Sequence, residues 1–107
     1  MQWDRRRAPR YAFAATAEIT DEHANARMSS QVSDLSLGGC YVELADPFPQ
    51  GTAVLIEIAT ETEFLEAHAT VAYREANLGM GVHFDEIQPY FVAVLNKWLK
   101  GAGMIEH

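Results

Sequence analysis

Leu65-Glu66-Ala67-His68-Ala69-Thr70-Val71-Ala72-Tyr73-Arg74 decides the fold class. Leu65, Ala67, Ala69, Val71 and Tyr73 fall on one side of this stretch, and Glu66, His68, Thr70 and Arg74 on the other. A period of two is the mark of a strand with one face in the core and one in water. The same alternation runs upstream through Tyr11, Phe13, Ala15, Ala17 and Ile19, with Ala12, Ala14, Thr16, Glu18 and Thr20 opposite. Between these two strands lie a weaker candidate over Arg27–Ser33, a short one over Gly39–Leu44 with Cys40, Val42 and Leu44 in phase, and an apolar run over Ala53–Ile58. Downstream, Met80, Val82 and Phe84 alternate in a last strand.

Turn chemistry separates these runs. Asp21–Asn25 is polar, Asp34–Gly39 ends in two glycines, and Thr60–Glu63 and Glu75–Gly79 are turn-like. Asp46-Pro47-Phe48-Pro49-Gln50-Gly51 is a loop, because proline removes a ladder donor. After Pro89 the period changes to that of a helix, with Phe91, Val94, Leu95 and Trp98 at i, i+3, i+4 and i+7. Gly101 and Gly103 are placed to end it. Six short antiparallel strands at regular spacing, with one amphipathic helix, predict a mainly β protein. The expected form is a six-stranded β-barrel over residues 11–84 with a C-terminal α-helix over 89–100. Closure removes exposed strand edges.

Length and composition agree with one domain spanning residues 1–107. Hydrophobic residues make up 49% and charged residues 21%, values that exclude a disordered chain. The single cysteine, Cys40, excludes an internal disulfide framework and reads as a small core residue. No run approaches the ~20 apolar residues of a membrane span. With no signal-peptide pattern at the N-terminus, a cytoplasmic location without membrane insertion is expected.

Charge is unevenly spread. The formal net charge is −7; the first ten residues hold +3 of it, through Arg5, Arg6, Arg7 and Arg10 against Asp4, leaving −10 for the rest. An acidic body repels nucleic acid over most of its surface, so no nucleic-acid partner is expected. A focused basic segment of this kind is either a solvated, flexible arm over residues 1–10 or a grip on a small anion.

Catalysis finds little support. His23, His68, His83 and His107 stand at no metal-ligand spacing to one another or to Cys40. His68 and His83 lie opposite the apolar alternation and read as surface residues. Ser36 lies in a glycine-rich turn but outside the Gly-x-Ser-x-Gly elbow of hydrolases. No enzyme, resident metal or cofactor is expected.

Two features remain. In Arg6-Arg7-Ala8-Pro9-Arg10, two guanidinium groups at a spacing of four can converge on one ligand, and their planar forks suit phosphate and the O6/N7 edge of guanine. In Asp34-Leu35-Ser36-Leu37-Gly38-Gly39, a carboxylate and a hydroxyl precede a glycine that tolerates positive φ and a close backbone approach to a ligand. Alone, each also reads as a frayed tail or an Asx-type turn.

In this order, Arg6-x-x-x-Arg10 and then Asp34-x-Ser36-x-x-Gly39, they resemble the signature of the PilZ family of cyclic di-GMP receptors. The later Gly79-Met80-Gly81-Val82-His83-Phe84 resembles that family's last barrel strand. The resemblance spans about residues 4–99. It implies that Arg6 and Arg10 hold guanine edges and phosphates, that Asp34 and Ser36 contact a guanine base, and that Gly39 shapes the turn. Gly81 would line the binding face. Arg5, just before the first motif arginine, would accompany an intercalated ligand dimer. Trp3 beside the cluster reads as a surface residue rather than a ligand contact. The implied partners are cyclic di-GMP and a downstream protein that the sequence does not name. A ligand-blind barrel of the same fold that only contacts proteins is the alternative. An oligonucleotide-binding barrel is a third reading, disfavoured by the acidic body.

Overall fold

The computed structural model describes residues 9–104. Six antiparallel strands, β1 (Tyr11–Asp21), β2 (Arg27–Leu35), β3 (Gly39–Glu43), β4 (Ala53–Ala59), β5 (Phe64–Glu75) and β6 (Gly79–Glu86), are followed by helix α1 (Pro89–Gly101). The strands close into a barrel in the order β1-β2-β3-β6-β5-β4, with β4 pairing back onto β1. The expected six-stranded antiparallel barrel with one terminal helix is therefore the observed fold. β6 runs two residues beyond the expected end, and α1 one.

Inward positions are those the alternation selects. Ile19, Leu35, Val42, Val54, Ile56, Ile58, Leu65 and Met80 are fully buried. Burying each such aliphatic side chain contributes roughly 1.5–3 kcal/mol. Cys40 sits among them, and desolvation raises its thiol pKa well above the ordinary value. α1 lays Val94, Leu95, Trp98 and Leu99 onto this core. The Trp98 ring stacks on Phe13 at 5.2 Å, and its indole N–H donates to Glu63 at 3.3 Å. Pro89 opens the helix, where a missing N–H costs nothing. The helix ends as a Schellman motif: Gly103 takes φ +121°, and the Met104 N–H donates to the Leu99 carbonyl at 2.9 Å. Gly103 is thus the stop signal, while Gly101 is still helical. Among the described residues no helix is long and apolar enough to cross a membrane.

Three readings need correction. Asp34 and Leu35 belong to β2 rather than to the following turn, because they pair with Tyr41 and Cys40. Tyr73 does not continue the inward row of β5. A register shift between Val71 and Tyr73 turns it outward, as a bulge does, and it is only partly buried. Gly39 does not use positive φ; that conformation falls on Gly51 and Gly103 among the described glycines. What requires glycine here is the close approach of β6: a Cβ at Gly39 would lie 1.9 Å from the Val82 carbonyl oxygen.

Candidate functional site

Strand register builds the site. On the outer face, Asp34 of β2 pairs with Tyr41 of β3, Tyr41 with Gly81 of β6, and Gly81 with Tyr73 of β5. One row thus carries a carboxylate, an aromatic ring, a glycine and a second ring across four strands. Gly81 leaves room for its neighbour: a Cβ there would stand 2.2 Å from the Tyr73 ring. The two tyrosine rings sit 6.3 Å apart. Arg10 precedes β1 by one residue, and its guanidinium lies 5.8 Å over the Tyr73 ring and 3.8 Å from Asp34 Oδ2. Such stacking on an aromatic face keeps a guanidinium flat with its edge donors outward.

Arg10, Asp34, Tyr41 and Tyr73 line an open groove of about 650 Å³ together with Ser33, Glu43, Glu75, Asn77 and Leu78, while Gly81 is buried beneath the Tyr73 ring. Its size suits a small-molecule ligand. A second concavity, about 610 Å³, lies between β1 and the Thr60–Thr62 turn. Its described lining is small and neutral except for Glu61, so it offers no cation to an anion and no ring to a base.

Asp34 is the unusual group. Its Oδ1 is buried without a hydrogen-bond partner. Burial raises its pKa above the ordinary 3.8, against the opposing pull of Arg10 and of the Tyr41 backbone N–H. A buried acceptor left open costs about 1–3 kcal/mol, more when charged, and calls for a cause.

The turn beneath is rigid. Ser36 is 1% exposed, and its hydroxyl oxygen accepts from the Gly38 and Gly39 N–H groups at 3.2 and 3.1 Å. The Phe84 N–H donates to the Gly38 carbonyl at 2.8 Å, docking the turn on β6. Ser36 and Gly39 therefore hold the strand end that presents Asp34 and Tyr41. Of the seven candidate residues, Arg10 and Asp34 meet at the groove, Gly81 lies buried under the Tyr73 ring rather than on the lining, and Ser36 and Gly39 form the support. Arg5 and Arg6 lie outside the described residues, as does Trp3. Sequence reasoning missed Tyr41, Tyr73 and Gly79. The repeated spacing of Gly79 and Gly81 was the available signal, since a strand glycine often marks a neighbour crossing over it.

With the groove in place, comparison with known proteins becomes specific. A family model for the PilZ domain matches residues 4–101. The chain belongs to the PilZ domain family. Among solved structures, the PilZ domain of YcgR from Escherichia coli with c-di-GMP superposes with a TM-score of 0.75 at 17% identity, covering 92% of each chain. YcgR from Escherichia coli in complex with c-di-GMP gives 0.76 at 20% identity, covering 92% of this chain and 46% of that one. The Bacillus subtilis inhibitor of motility, MotI/DgrA, gives 0.73 at 21% identity, over 94% and 53%. This chain thus spans about half the length of the two larger proteins. At such identities the likeness is one of fold. No curated protein matches the sequence significantly.

The PilZ groove allows a direct test of its glycine. In Gly81→Ala the new methyl meets the end of a side chain that can swing rather than fixed backbone. The barrel should lose only about 1–2 kcal/mol, while the Tyr73 ring leaves its place under Arg10. The expected result is a small change in urea midpoint with a clear change in the near-UV tyrosine signal. An unaltered near-UV spectrum would show that the ring is not held by Gly81.

Proposed function

We propose that this PilZ domain is a cyclic di-GMP receptor and adaptor rather than an enzyme. The observation that carries the reading is the open, buried Oδ1 of Asp34 beside Arg10 on a tyrosine-lined groove. Guanine supplies what Asp34 lacks, the N1–H and exocyclic amine on one edge. Arg10, with Arg6 of the N-terminal segment, holds the O6/N7 edge and the phosphates through paired N–H donors. Ser36, Gly39 and Gly81 shape the surface under the ligand. Arg5 supports binding of an intercalated ligand dimer. Phosphate charge draws the segment ahead of Arg10 onto the barrel, and that ordering creates or hides the surface read by a downstream protein. The ligand-bound PilZ domain of YcgR supports the reading.

Isothermal titration of cyclic di-GMP, with GTP as competitor and Arg10→Ala as control, tests it. Saturable binding is expected, weakened at least about 100-fold by Arg10→Ala, since charged hydrogen bonds contribute roughly 1.5–3 kcal/mol each. A stoichiometry of two per chain would establish the dimer. Protection of residues 5–10 from limited proteolysis by ligand would establish the ordering step. Absence of saturation would reject the receptor reading in favour of a protein-contact barrel.

A further inference from the structure

A second cross-strand row lies beside the tyrosine row. Glu43 of β3 pairs with Gly79, and Gly79 with Glu75 of β5. It is two residues along each strand, about 7 Å on, and faces the same groove. The described lining therefore opposes one guanidinium, Arg10, to three carboxylates, Asp34, Glu43 and Glu75. For an anionic diester this is a poor electrostatic match, unless the carboxylates face donors on the ligand.

Glu75 is fixed more closely than a rim carboxylate need be. The Tyr41 hydroxyl donates to its Oε1 at 2.5 Å. Gly79 lets the Tyr41 ring reach across, because a Cβ there would stand 2.8 Å from the ring. Burial and the Glu75 carboxylate both push the Tyr41 pKa up, so the phenol keeps its proton. A carboxylate can accept four hydrogen bonds, so capacity remains after Tyr41.

We propose that Glu75, held by Tyr41, is a specificity-determining residue that accepts the paired N–H donors of a second guanine and so selects guanine over adenine at that position. The inference rests on the receptor reading above. Asp34 serves one base and Glu75 the other, one row along and three strands across, at the far side of the same groove. Adenine offers an acceptor where guanine carries N1–H, so a carboxylate there repels it. Tyr41 acts as a positioning residue.

The test is titration of cyclic di-GMP, the mixed guanine–adenine cyclic dinucleotide and cyclic di-AMP into the wild type, Glu75→Gln and Tyr41→Phe. Urea midpoints confirm that both variants fold. Glu75→Gln is expected to weaken cyclic di-GMP binding roughly tenfold, leave the mixed ligand unchanged or tighter, and shrink the preference between them. Tyr41→Phe should lose part of that preference. If Glu75→Gln tightens all ligands alike, the carboxylate merely repels phosphate and the proposal fails while the receptor reading stands. Wild-type protein that binds no cyclic dinucleotide would overturn both.

Discussion

Gly39→Ala is expected to remove about 3–5 kcal/mol of stability. The added Cβ would fall 1.9 Å from the Val82 carbonyl oxygen, 3.0 Å from its carbon and 3.3 Å from His83 Cα. All three atoms are β6 backbone, so no side chain can turn aside. Strands β3 and β6 must part, and the Phe84-to-Gly38 bond that docks the turn goes with them. Overpacking contributes about 1–3 kcal/mol and each lost backbone bond about 1. Against a typical total of about 5–15 kcal/mol, such a loss lowers the urea midpoint by roughly a fifth or more. Ligand binding should fall as well, since the same turn presents Asp34 and Tyr41. A loss under about 1 kcal/mol would mean that the turn yields and that close approach is not why glycine stands there.

Asp34→Ala should move function and stability in opposite directions. Cyclic di-GMP binding is expected to weaken on the order of 100-fold, the value of a paired, charged acceptor. The free protein should gain stability at neutral pH, because a half-buried carboxylate with an unfilled oxygen is gone. The sign follows from linkage. The folded-state pKa of Asp34 lies above the unfolded value of 3.8, so the folded protein holds the proton more tightly. Its ionisation therefore costs stability as pH rises from 3.8 through the folded pKa, and the cost is complete above that. Thermal melts of the two proteins should converge near pH 4 and separate toward pH 7, with the variant higher. Equal separation at both pH values would show that Asp34 ionisation is not linked to folding. Destabilised sites of this kind are common where a ligand completes the bonding.

The barrel was readable because its strands obey one rule each. In β1, β4, β5 and β6 the apolar side chains that enter the core recur at every second residue, and α1 switches cleanly to a helical period at Pro89. The site was readable in part. Arg10 and Asp34 stand where motif spacing put them, whereas the tyrosine rows depend on register, which no single strand contains. Tyr73 was assigned to the core face because alternation counts residues and does not see a bulge. Gly39 was assigned to a backbone conformation because the neighbour that excludes a side chain, Val82, lies more than forty residues away in sequence.

The irregularity between Val71 and Tyr73 has an evolutionary reading. Val71 is 1% exposed, sealing the interior, and two positions later the chain supplies the ring that faces the groove. The slipped register uncouples the two faces of one strand. Substitution on the groove side can proceed while the interior stays under its own, separate constraint. A domain built this way can diverge in what it senses, or lose sensing altogether, within an inherited barrel.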